Sequence, residues 1–341
     1  MTDSPPAPDG EPEVMFATSG HSGTPVAWIR SAGQLRGEAS LVADMVMGEL
    51  DEIVCFAPPG HLFGRLFGVI LPQLRGVPVQ QLHDDPVRAP RLRPGCRVLF
   101  ICLPSSWLVL ERMTDRIAAL GSSVLLHGTG PVTDTTRRVV SALRASPARV
   151  VEIFGSTETG GIAVRPVGGP GTGHDQDEPW TLLPDVSLVP AEQDDPGGWM
   201  RLGVRSPRLA RRSDQATAPD LLWLDDMIRP VGERSFMFLG RCSRLVKVNG
   251  KRIDLGAVER AASAVLGTDT ACVPVRDQVR GEHYELFYAA GSEDLTGEQA
   301  WCRLASAPPA QPLPRALHQV PEIPRTATGK VDLGRLRATG S

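Results

Sequence analysis

Apolar runs alternate with stretches of helical periodicity through the first half of the chain. The runs predict strands at Glu52–Phe56, Cys96–Leu103, Ser123–Leu126 and Arg149–Phe154. The stretches around them predict helices at Gly33–Leu50, Leu62–Leu74, Ser106–Leu120 and Asp134–Ala145. This alternation is typical of a mainly parallel sheet covered by helices. The pattern therefore predicts an α/β fold whose functional loops lie at the carboxyl ends of the strands.

The second half of the chain has a different pattern. From about Pro166 to Glu192 the residues are rich in Gly, Pro and Asp, which predicts an exposed loop region. Short strands are predicted next at Trp199–Val204 and Leu221–Leu224. A small α+β unit follows, with predicted strands and helices at Val246–Val248, Leu255–Val265, Thr270–Val275, Glu285–Ala290 and Gly297–Ala305. The prediction is two domains, a large one over 1–240 and a small one over 241–341.

Composition narrows the class of protein. The chain has 341 residues, of which 41% are hydrophobic and 22% charged, and its net charge of -3 offers no electrostatic footprint for nucleic acid. The N-terminus has no signal-peptide pattern, and no apolar run approaches the ~20 residues of a membrane span. The six cysteines are scattered without metal-ligand spacing. We expect a cytoplasmic protein with reduced thiols that binds neither nucleic acid nor membranes.

Lysine is scarce in this chain. Of 36 basic residues only Lys247, Lys251 and Lys330 are lysines, and the other 33 are arginines. A lysine that persists among arginines suggests a need for a slim, rotatable point charge, although codon usage explains the bias equally well. The motifs around these lysines decide between the two readings.

The first motif is a loop rich in Ser, Thr and Gly that precedes Pro25. Its glycines let backbone N–H groups turn inward and its hydroxyls add donors, so the loop is suited to wrapping a polyphosphate. The candidate residues are Thr18, Ser19, Gly20, Ser22 and Gly23. The Walker A pattern is absent, and taken alone the loop also fits a plain turn.

Two further motifs carry groups suited to a nucleotide. Phe154-Gly155-Ser-Thr157-Glu158 ends an apolar run, so that the aromatic ring can stack on a purine, the threonine can donate to a phosphate and the glutamate can bind Mg²⁺. The alternative is a glycine-rich turn with helix-capping Thr and Glu. Further on, Asp226 and Arg241 offer a carboxylate for ribose hydroxyls and a guanidinium for the same sugar, although each also fits an ordinary surface residue.

Taken in order, these motifs resemble those of the adenylate-forming superfamily, which comprises acyl- and aryl-CoA synthetases, peptide-synthetase adenylation domains and luciferases. The phosphate loop resembles Thr18–Pro25, and the aromatic-Gly-x-Thr-Glu motif resembles Phe154–Glu158. The Gly-Arg hinge with V-K-x-x-G-x-R-I resembles Gly240–Ile253, and the C-terminal P-x-T-x-x-G-K resembles Pro324–Lys330. The segment around His61 resembles the substrate-gating motif. His127-Gly128-Thr129-Gly130-Pro131 resembles the segment that walls the adenine and acyl pockets.

The resemblance implies an enzyme that uses ATP and Mg²⁺ to convert a carboxylic acid into an acyl-adenylate and then transfers the acyl group to a thiol. It implies that Lys330 bridges the carboxylate and the α-phosphate, that Thr157 and Glu158 act at the phosphates, and that Glu158 binds Mg²⁺. It implies nucleotide contacts from Gly128, Thr129, Gly130, Phe154, Gly155, Asp226 and Arg241. It further implies substrate contact by His61, a hinge at Ser243, and a thiol tunnel at Lys247 and Gly250 that replaces Lys330 after rotation.

Three features depart from the family pattern. Val26 follows Pro25 where a lysine is usual, so one cationic contact to pyrophosphate is missing. The phosphate loop lies close to Met1, so we expect an abbreviated version of the N-terminal part of the family fold. Ser243 stands where an acidic residue or lysine is common.

The substrate and the acceptor follow less directly. Amino-acid-activating relatives place an Asp shortly before the position of His61, whereas this chain has Phe56-Ala57-Pro58-Pro59, so we expect an acyl or aryl acid. The acceptor is CoA or a phosphopantetheinyl acyl carrier protein, and the residues do not choose between them. Two alternatives stay open: a non-catalytic scaffold that binds a nucleotide or carrier protein, and a ligase with an amine or hydroxyl acceptor. His61 also fits a helix-capping or packed histidine.

Overall fold

The structure is a computed structural model that describes residues 11–19, 25–85, 87–130, 132–168, 178–189, 198–241, 244–248, 251–277, 281–291, 295–307, 312–325 and 331–339. The fold divides into two compact units. The first unit comprises Met1–Leu224 and Arg229–Phe238, and the second comprises Asp225–Ile228 and Leu239–Ser341.

The strands are numbered in chain order. They are β1 Glu13–Ser19, β2 Pro25–Ser31, β3 Glu52–Cys55, β4 Val79–Gln81, β5 Arg97–Cys102, β6 Ser122–His127, β7 Ala148–Ser156, β8 Gly160–Pro166, β9 Trp180–Leu182, β10 Ser187–Val189, β11 Met200–Arg205, β12 Arg211–Arg212, β13 Leu222–Gly232, β14 Ser235–Arg241, β15 Leu245–Val248, β16 Lys251–Asp254, β17 Thr270–Asp277, β18 Gly281–Ala289 and β19 Leu317–Val320.

The α-helices are numbered in the same way. They are α1 Ala32–Val46, α2 Leu62–Arg65, α3 Leu71–Arg75, α4 Trp107–Glu111, α5 Thr114–Ala118, α6 Asp134–Leu143, α7 Leu255–Leu266, α8 Gly297–Ser306 and α9 Leu333–Thr339. A π-helical turn, Leu66–Ile70, joins α2 to α3, and a 3-10 turn, Pro104–Ser106, precedes α4. None of the described helices is long and apolar enough to cross a membrane.

The largest sheet has eleven strands in the order β10-β11-β13-β14-β9-β8-β7-β6-β5-β3-β4. The pairs from β7 to β4 are parallel, whereas β7–β8, β8–β9 and β9–β14 are antiparallel. The predicted α/β fold is confirmed, and the parallel part of this mixed sheet is the part that the apolar runs predict. Every residue of β3 is buried, as expected for a parallel strand covered on both faces.

Helices pack on the parallel strands through a continuous apolar core. Trp107 of α4 is fully buried, and the same cluster contains strand residues Val54, Phe100 and Leu125. Ser31 begins α1 with a capping box, in which its hydroxyl accepts from Gln34 N and its own N–H donates to Gln34 Oε1. The helices predicted at Gly33–Leu50 and Asp134–Ala145 form as α1 and α6, and both end earlier than predicted.

Two predicted helices are interrupted. In the predicted helix Leu62–Leu74, Pro72 has no N–H to donate to the carbonyl of Gly68, and the backbone widens into the π-helical turn. Gln81 Nε2 donates to that carbonyl at 2.5 Å, which satisfies it from the neighbouring edge strand. The predicted helix Ser106–Leu120 is two short helices separated at Arg112 and Met113.

The predicted exposed loop from Pro166 to Glu192 is wrong in its described second half. Residues 178–189 contain β9 and β10, and the side chain of Trp180 is 3% exposed. These strands are short and lie among turn-forming residues, so the composition conceals them. Burial of one large aromatic side chain on the sheet supplies the stabilisation that the local sequence lacks.

The second unit is an α+β arrangement with its own core. Strands β17, β18 and β19 form a sheet in that order, and β15 pairs with β16 as a separate hairpin. Helix α7 begins at Asp254, whose carboxylate accepts from Gly256 N at 3.0 Å, and it ends before Gly267 at φ 69°. Val258 and Leu266 of this helix pack with Tyr284 and Leu286 of β18.

Burial of the cysteines gives a testable difference in reactivity. Of the five cysteines that the structure describes, Cys302 is exposed, whereas Cys55, Cys102 and Cys272 are buried. Burial raises the pKa of Cys55 to about 11, so little thiolate exists at pH 8. We expect a thiol reagent to label Cys302 in seconds to minutes and the three buried residues only after unfolding. Peptide mapping of labelled native protein measures this, with Cys302→Ser as the control, and rapid native labelling of Cys55 would contradict the described core.

Candidate functional site

The loops after β6 and β7 meet at one edge of the parallel sheet. The two strands are neighbours, and His127 of β6 is in register with Glu152 of β7. Because parallel strands end on the same side, the segment Gly128–Gly130 lies beside the turn that follows Phe154. The structure therefore brings two of the predicted nucleotide segments to a common edge.

The segment Gly128–Gly130 has a backbone that its sequence requires. Thr129 has φ 68°, the only positive φ found among the described residues other than glycine. A Cβ on Gly128 would lie 3.1 Å from the ring of Phe63, and one on Gly130 would lie 2.7 Å from Pro104. The glycines allow the segment to pack closely, so that its backbone forms the wall of the sheet edge.

A buried pair, Trp107 and His127, supports this segment from below. The Trp107 indole N–H donates to His127 Nδ1 at 3.0 Å, so Nδ1 is the acceptor and Nε2 carries the proton. The Nε2 then donates to the carbonyl of Gly130 at 3.0 Å. A neutral imidazole thus links the helical layer to the loop, and His127 is part of the support rather than an exposed contact.

His61 stands at the start of α2, where its side chain is exposed and makes no capping hydrogen bond. The helix-capping alternative is therefore not the role that the structure gives it. Phe63, two residues on, places its ring against Gly128. The helix that carries His61 is thereby packed on the same loop segment that is predicted to contact the nucleotide.

In the turn between β7 and β8, some groups form hydrogen bonds that hold the turn, and other side chains do not. Thr159 Oγ1 accepts from Ser156 N at 3.1 Å and donates to the carbonyl of Gly160 at 2.8 Å. Ala210 N donates to the carbonyl of Glu158 at 2.8 Å. Within the described part of the chain, the Thr157 hydroxyl and the Glu158 carboxylate make no hydrogen bond or ion pair. No helix begins here, since β8 follows directly, so the capping alternative for this motif is wrong.

Phe154 lies at the edge of an aromatic cluster. Its ring centroid is 5.3 Å from that of Trp180, 6.0 Å from that of Phe236 and 5.4 Å from that of Phe238, all with tilted or edge-on geometry. The side chain remains half-buried. Gly155 is required next to it, because a Cβ there would lie 2.2 Å from the carbonyl of Gly160.

A buried ionic network under the same turn has no counterpart in the sequence prediction. It consists of Arg30 on β2, Glu38 on α1, and Arg208 and Asp185 from loops. Arg30, Glu38 and Arg208 are 0%, 1% and 4% exposed. The available signal was Glu38, which falls on the otherwise apolar stripe of α1 formed by Leu35, Ala39, Val42 and Val46.

The predicted phosphate loop joins β1 and β2, which pair as an antiparallel hairpin up to Ser19 and Pro25. Gly20, Ser22 and Gly23 lie outside the described residues. For Thr18 and Ser19 the structure describes the backbone only. The structure thus gives the hairpin that carries the loop, and the predicted contacts of the loop itself stay predictions.

The second unit contains the predicted ribose pair. The Arg241 Nε lies 3.7 Å from Asp226 Oδ1, and the Asp226 side chain is 12% exposed while that of Arg241 is 52% exposed. Gly240 has φ 147°, and a Cβ there would lie 3.2 Å from the Asp254 carboxyl carbon. A side chain at position 240 would crowd Asp254, so the motif needs its glycine there. The glycine thereby allows Arg241 to lie beside Asp226.

The remaining predicted residues of this unit are only partly described. Lys247 lies in β15, with its backbone alone described. Ser243, Gly250 and Lys330 lie outside the described residues. Their predicted roles as hinge, tunnel and catalytic lysine stay predictions.

The residues present fit a nucleotide with a hard divalent ion. Among the described residues no three His, Cys, Asp or Glu side chains cluster as a metal site. Mg²⁺ is usually bound by one or two carboxylates together with substrate phosphates, and the unengaged Glu158 carboxylate matches that requirement. The Thr157 hydroxyl beside it is an equally unengaged donor.

We compared the chain with known proteins in sequence and in structure. No protein-family model matches the chain. The chain is 26% identical over 320 residues to a 4-coumarate–CoA ligase of Cereibacter sphaeroides, which covers 93% of this chain and 69% of that relative. It is also 25% identical over 337 residues to a 4-coumarate–CoA ligase of Halorhodospira halophila, covering 93% and 74%. Among solved structures, O-succinylbenzoate coenzyme A synthetase of Bacillus subtilis, in complex with ATP and magnesium ion, matches with a TM-score of 0.71 at 15% identity, over 95% of this chain and 69% of that one.

The structural likeness shows that the chain shares its fold with O-succinylbenzoate coenzyme A synthetase. The likeness in sequence to the 4-coumarate–CoA ligases runs along 93% of the chain. The predicted resemblance is confirmed, since the chain is similar in sequence to 4-coumarate–CoA ligases and similar in fold to O-succinylbenzoate coenzyme A synthetase.

Proposed function

We propose that the protein is an acid–thiol ligase that activates an acyl or aryl carboxylic acid with ATP and transfers the acyl group to a phosphopantetheine thiol. One observation carries this most directly. In a turn held by hydrogen bonds of Thr159 Oγ1 and of the Glu158 carbonyl, the side chains of Thr157 and Glu158 have no partner among the residues that the structure describes. The acceptor is CoA, as in the names of the CoA-ligase relatives, or the same thiol on an acyl carrier protein.

The first half-reaction exchanges one phosphorus–oxygen bond for another. A carboxylate oxygen forms a bond to the α-phosphorus of ATP, the bond from that phosphorus to the bridging oxygen breaks, and pyrophosphate leaves. Charge is spread over the phosphoryl oxygens in the transition state, so catalysis depends on positioning and electrostatics. Mg²⁺ supplies neutralisation of the phosphate charge when it is bound.

The chain's own groups divide this task. Glu158 would hold the metal, and Thr157 would donate to a phosphate oxygen from the same turn. Gly128, Thr129, Gly130, Phe154 and Gly155 would border the base at the sheet edge. Thr18, Ser19, Gly20, Ser22 and Gly23 would grip the terminal phosphates with backbone N–H groups and hydroxyls. Lys330 would bridge the acid and the α-phosphate as a point charge.

The second half-reaction needs the lysine to leave. The thiol sulfur attacks the acyl carbon, AMP departs with one oxygen that came from the acid, and the thiol proton is released. A hinge at Ser243 would replace Lys330 with the segment carrying Lys247 and Gly250, which would line the path of the pantetheine. A small residue at the hinge can absorb the backbone change of such a rotation.

The stretch before His61 supports an acid without an α-ammonium group. Phe56 and Ala57 are buried, at 4% and 1% exposed, and neither carries a charge. An α-ammonium group brought next to this stretch would meet buried apolar side chains, neither of which offers a counter-ion. An aliphatic, unsaturated or aryl acid is therefore the proposed substrate class.

The ribose pair gives a prediction for nucleotide affinity. Replacing Asp226 by Asn keeps the shape of the side chain and removes its charge. We expect about tenfold weaker binding of AMP, since hydrogen bonds to a charged group contribute about 1.5–3 kcal/mol. Calorimetric titration with AMP measures this, and Asp225→Asn is the matched control at the adjacent position. Equal affinities of wild type and Asp226→Asn would remove this residue from the nucleotide site.

Pyrophosphate release tests the proposed function. Wild-type protein with Mg-ATP and a panel of aliphatic, unsaturated and aryl acids, without thiol, should release pyrophosphate with a subset of the acids. The panel includes 4-coumarate, because the two relatives compared above are 4-coumarate–CoA ligases. ATP binding without release for any acid would favour the scaffold instead.

A further inference from the structure

The buried network closes around the backbone of Gly161. Gly161 N donates to Glu38 Oε1 at 2.7 Å, and Arg208 Nη2 donates to the Gly161 carbonyl at 2.9 Å. Both polar backbone groups of this residue are therefore held by charged side chains. Gly160, with φ 70°, is needed beside it, because a Cβ there would lie 2.4 Å from Glu38 Oε2.

The same network reaches the hairpin of the phosphate loop. Arg30 on β2 lies 2.8 Å from Glu38 Oε2 and donates to the carbonyl of Arg208 at 2.7 Å. Arg208 in turn makes a paired contact with Asp185, through Nε at 2.6 Å and Nη2 at 2.8 Å. Two cations and two carboxylates thus join β2, α1 and the turn that carries Thr157 and Glu158.

A buried ionic network of this kind contributes little to the stability of a fold. Burial holds the pKa of Arg30 below its ordinary value despite the charge of Glu38. Arg30 Nε and Nη1 have no hydrogen-bond partner in the described part of the chain. Buried ion pairs of this kind are often no more stabilising than well-packed apolar side chains of the same size. They do fix geometry, because each charged group accepts few alternative positions.

We propose that Glu38, Arg30 and Arg208 are positioning residues that hold the Thr157–Glu158 turn in register with the phosphate-loop hairpin. This inference rests on the proposed function. The network contacts Gly160 and Gly161 from the buried side of the turn. Thr157 and Glu158 lie at the start of the same turn, and their side chains have no partner in the described part of the chain. A fixed turn keeps the Glu158 carboxylate in one place relative to the β1–β2 hairpin, so the metal and the nucleotide bind as one unit.

Two variants loosen the network at different contacts. Glu38→Gln keeps an acceptor for Gly161 N and removes the charge that pairs with both arginines. Asp185→Asn, at a side chain that is 24% exposed, weakens only the outer contact of Arg208 and should fold even if Glu38→Gln does not. Glu52→Gln is the matched control, because Glu52 is a buried carboxylate at the start of β3, outside the network, and accepts a hydrogen bond from Gln80 Nε2.

The first readout needs no ligand. Hydrogen–deuterium exchange of peptides that cover residues 156–161 should be about tenfold faster in Glu38→Gln or Asp185→Asn than in wild type, and unchanged in Glu52→Gln. Exchange at wild-type rates in a folded network variant would overturn the inference. This result does not depend on ATP binding, so it separates failure of the inference from failure of the proposed function.

The second readout is the gain in ATP affinity that Mg²⁺ provides, measured by calorimetry with and without the metal. We expect this gain to fall about tenfold in the network variants, while affinity for metal-free ATP changes less than about twofold. A purely structural network would lower the melting temperature and leave the gain unchanged, which would also overturn the inference. Wild type that binds no ATP would refute the proposed function, and the exchange experiment would still decide the role of the network.

Discussion

Lys330→Ala should reduce acid-dependent pyrophosphate release by about 10²–10³-fold, the usual effect of removing one donor from a developing anion. The chain retains only three lysines, and this one ends the motif that the superfamily uses in the adenylation step. A point charge on a flexible stem can approach the acid and the α-phosphate and then withdraw. Pyrophosphate measured at quenched time points, with saturating acid and Mg-ATP, gives the rate.

Lys251→Ala is the control for this experiment. It removes the same charge from β16, where no catalytic role is proposed, and we expect release within about twofold of wild type. ATP affinity should change little in either variant, since the proposed role of Lys330 is in the transition state. A Lys330→Ala protein that releases pyrophosphate at the wild-type rate would mean that another group stabilises the charge.

Glu158→Gln should reduce the adenylation rate by about 10²-fold at millimolar Mg²⁺. The amide has the size of the carboxylate but lacks the negative charge that a hard divalent ion requires. Because the backbone of Glu158 is held by Ala210 N and the turn by Thr159, the substitution should leave the fold intact. Raising the Mg²⁺ concentration should recover part of the lost rate.

The Mg²⁺ titration of Glu158→Gln is compared with that of Glu111→Gln. Glu111 is a carboxylate in an ion pair with Arg138 outside the site, and its replacement should leave the half-saturating Mg²⁺ concentration unchanged. Unaltered Mg²⁺ dependence in Glu158→Gln would show that this carboxylate does not hold the metal. The metal would then be bound by phosphates and water alone.

The parallel half of the sheet was predictable because burial on both faces gives each strand an unbroken apolar run. β3, β5 and β6 are of this kind, with five of six residues buried in each of the last two. β9 and β10 were not predictable, because strands of three residues carry too little periodicity to stand out from a loop. Pro72 marks the interruption of the second predicted helix, but the partner that satisfies the Gly68 carbonyl, Gln81, is thirteen residues away and was not predictable.

The parts of the site that consist of consecutive residues were predictable from the sequence. The turn after Phe154 and the Gly128–Gly130 segment are local motifs, and the topology of parallel strands brings them to one edge. The Arg30–Glu38–Arg208 network was not predictable, because its members are far apart in the chain and meet only in the folded protein. A lone charge in the apolar stripe of α1 shows that a partner exists without showing which.

The most direct test of the account follows an oxygen atom. A carboxylic acid that the protein accepts is labelled with oxygen-18 in both carboxylate oxygens, and one turnover with Mg-ATP and CoA or pantetheine is analysed by mass spectrometry. Attack of the carboxylate on the α-phosphorus predicts one labelled oxygen in each AMP and none in pyrophosphate. Label in inorganic phosphate together with ADP, or AMP without label, would contradict adenylation by this protein.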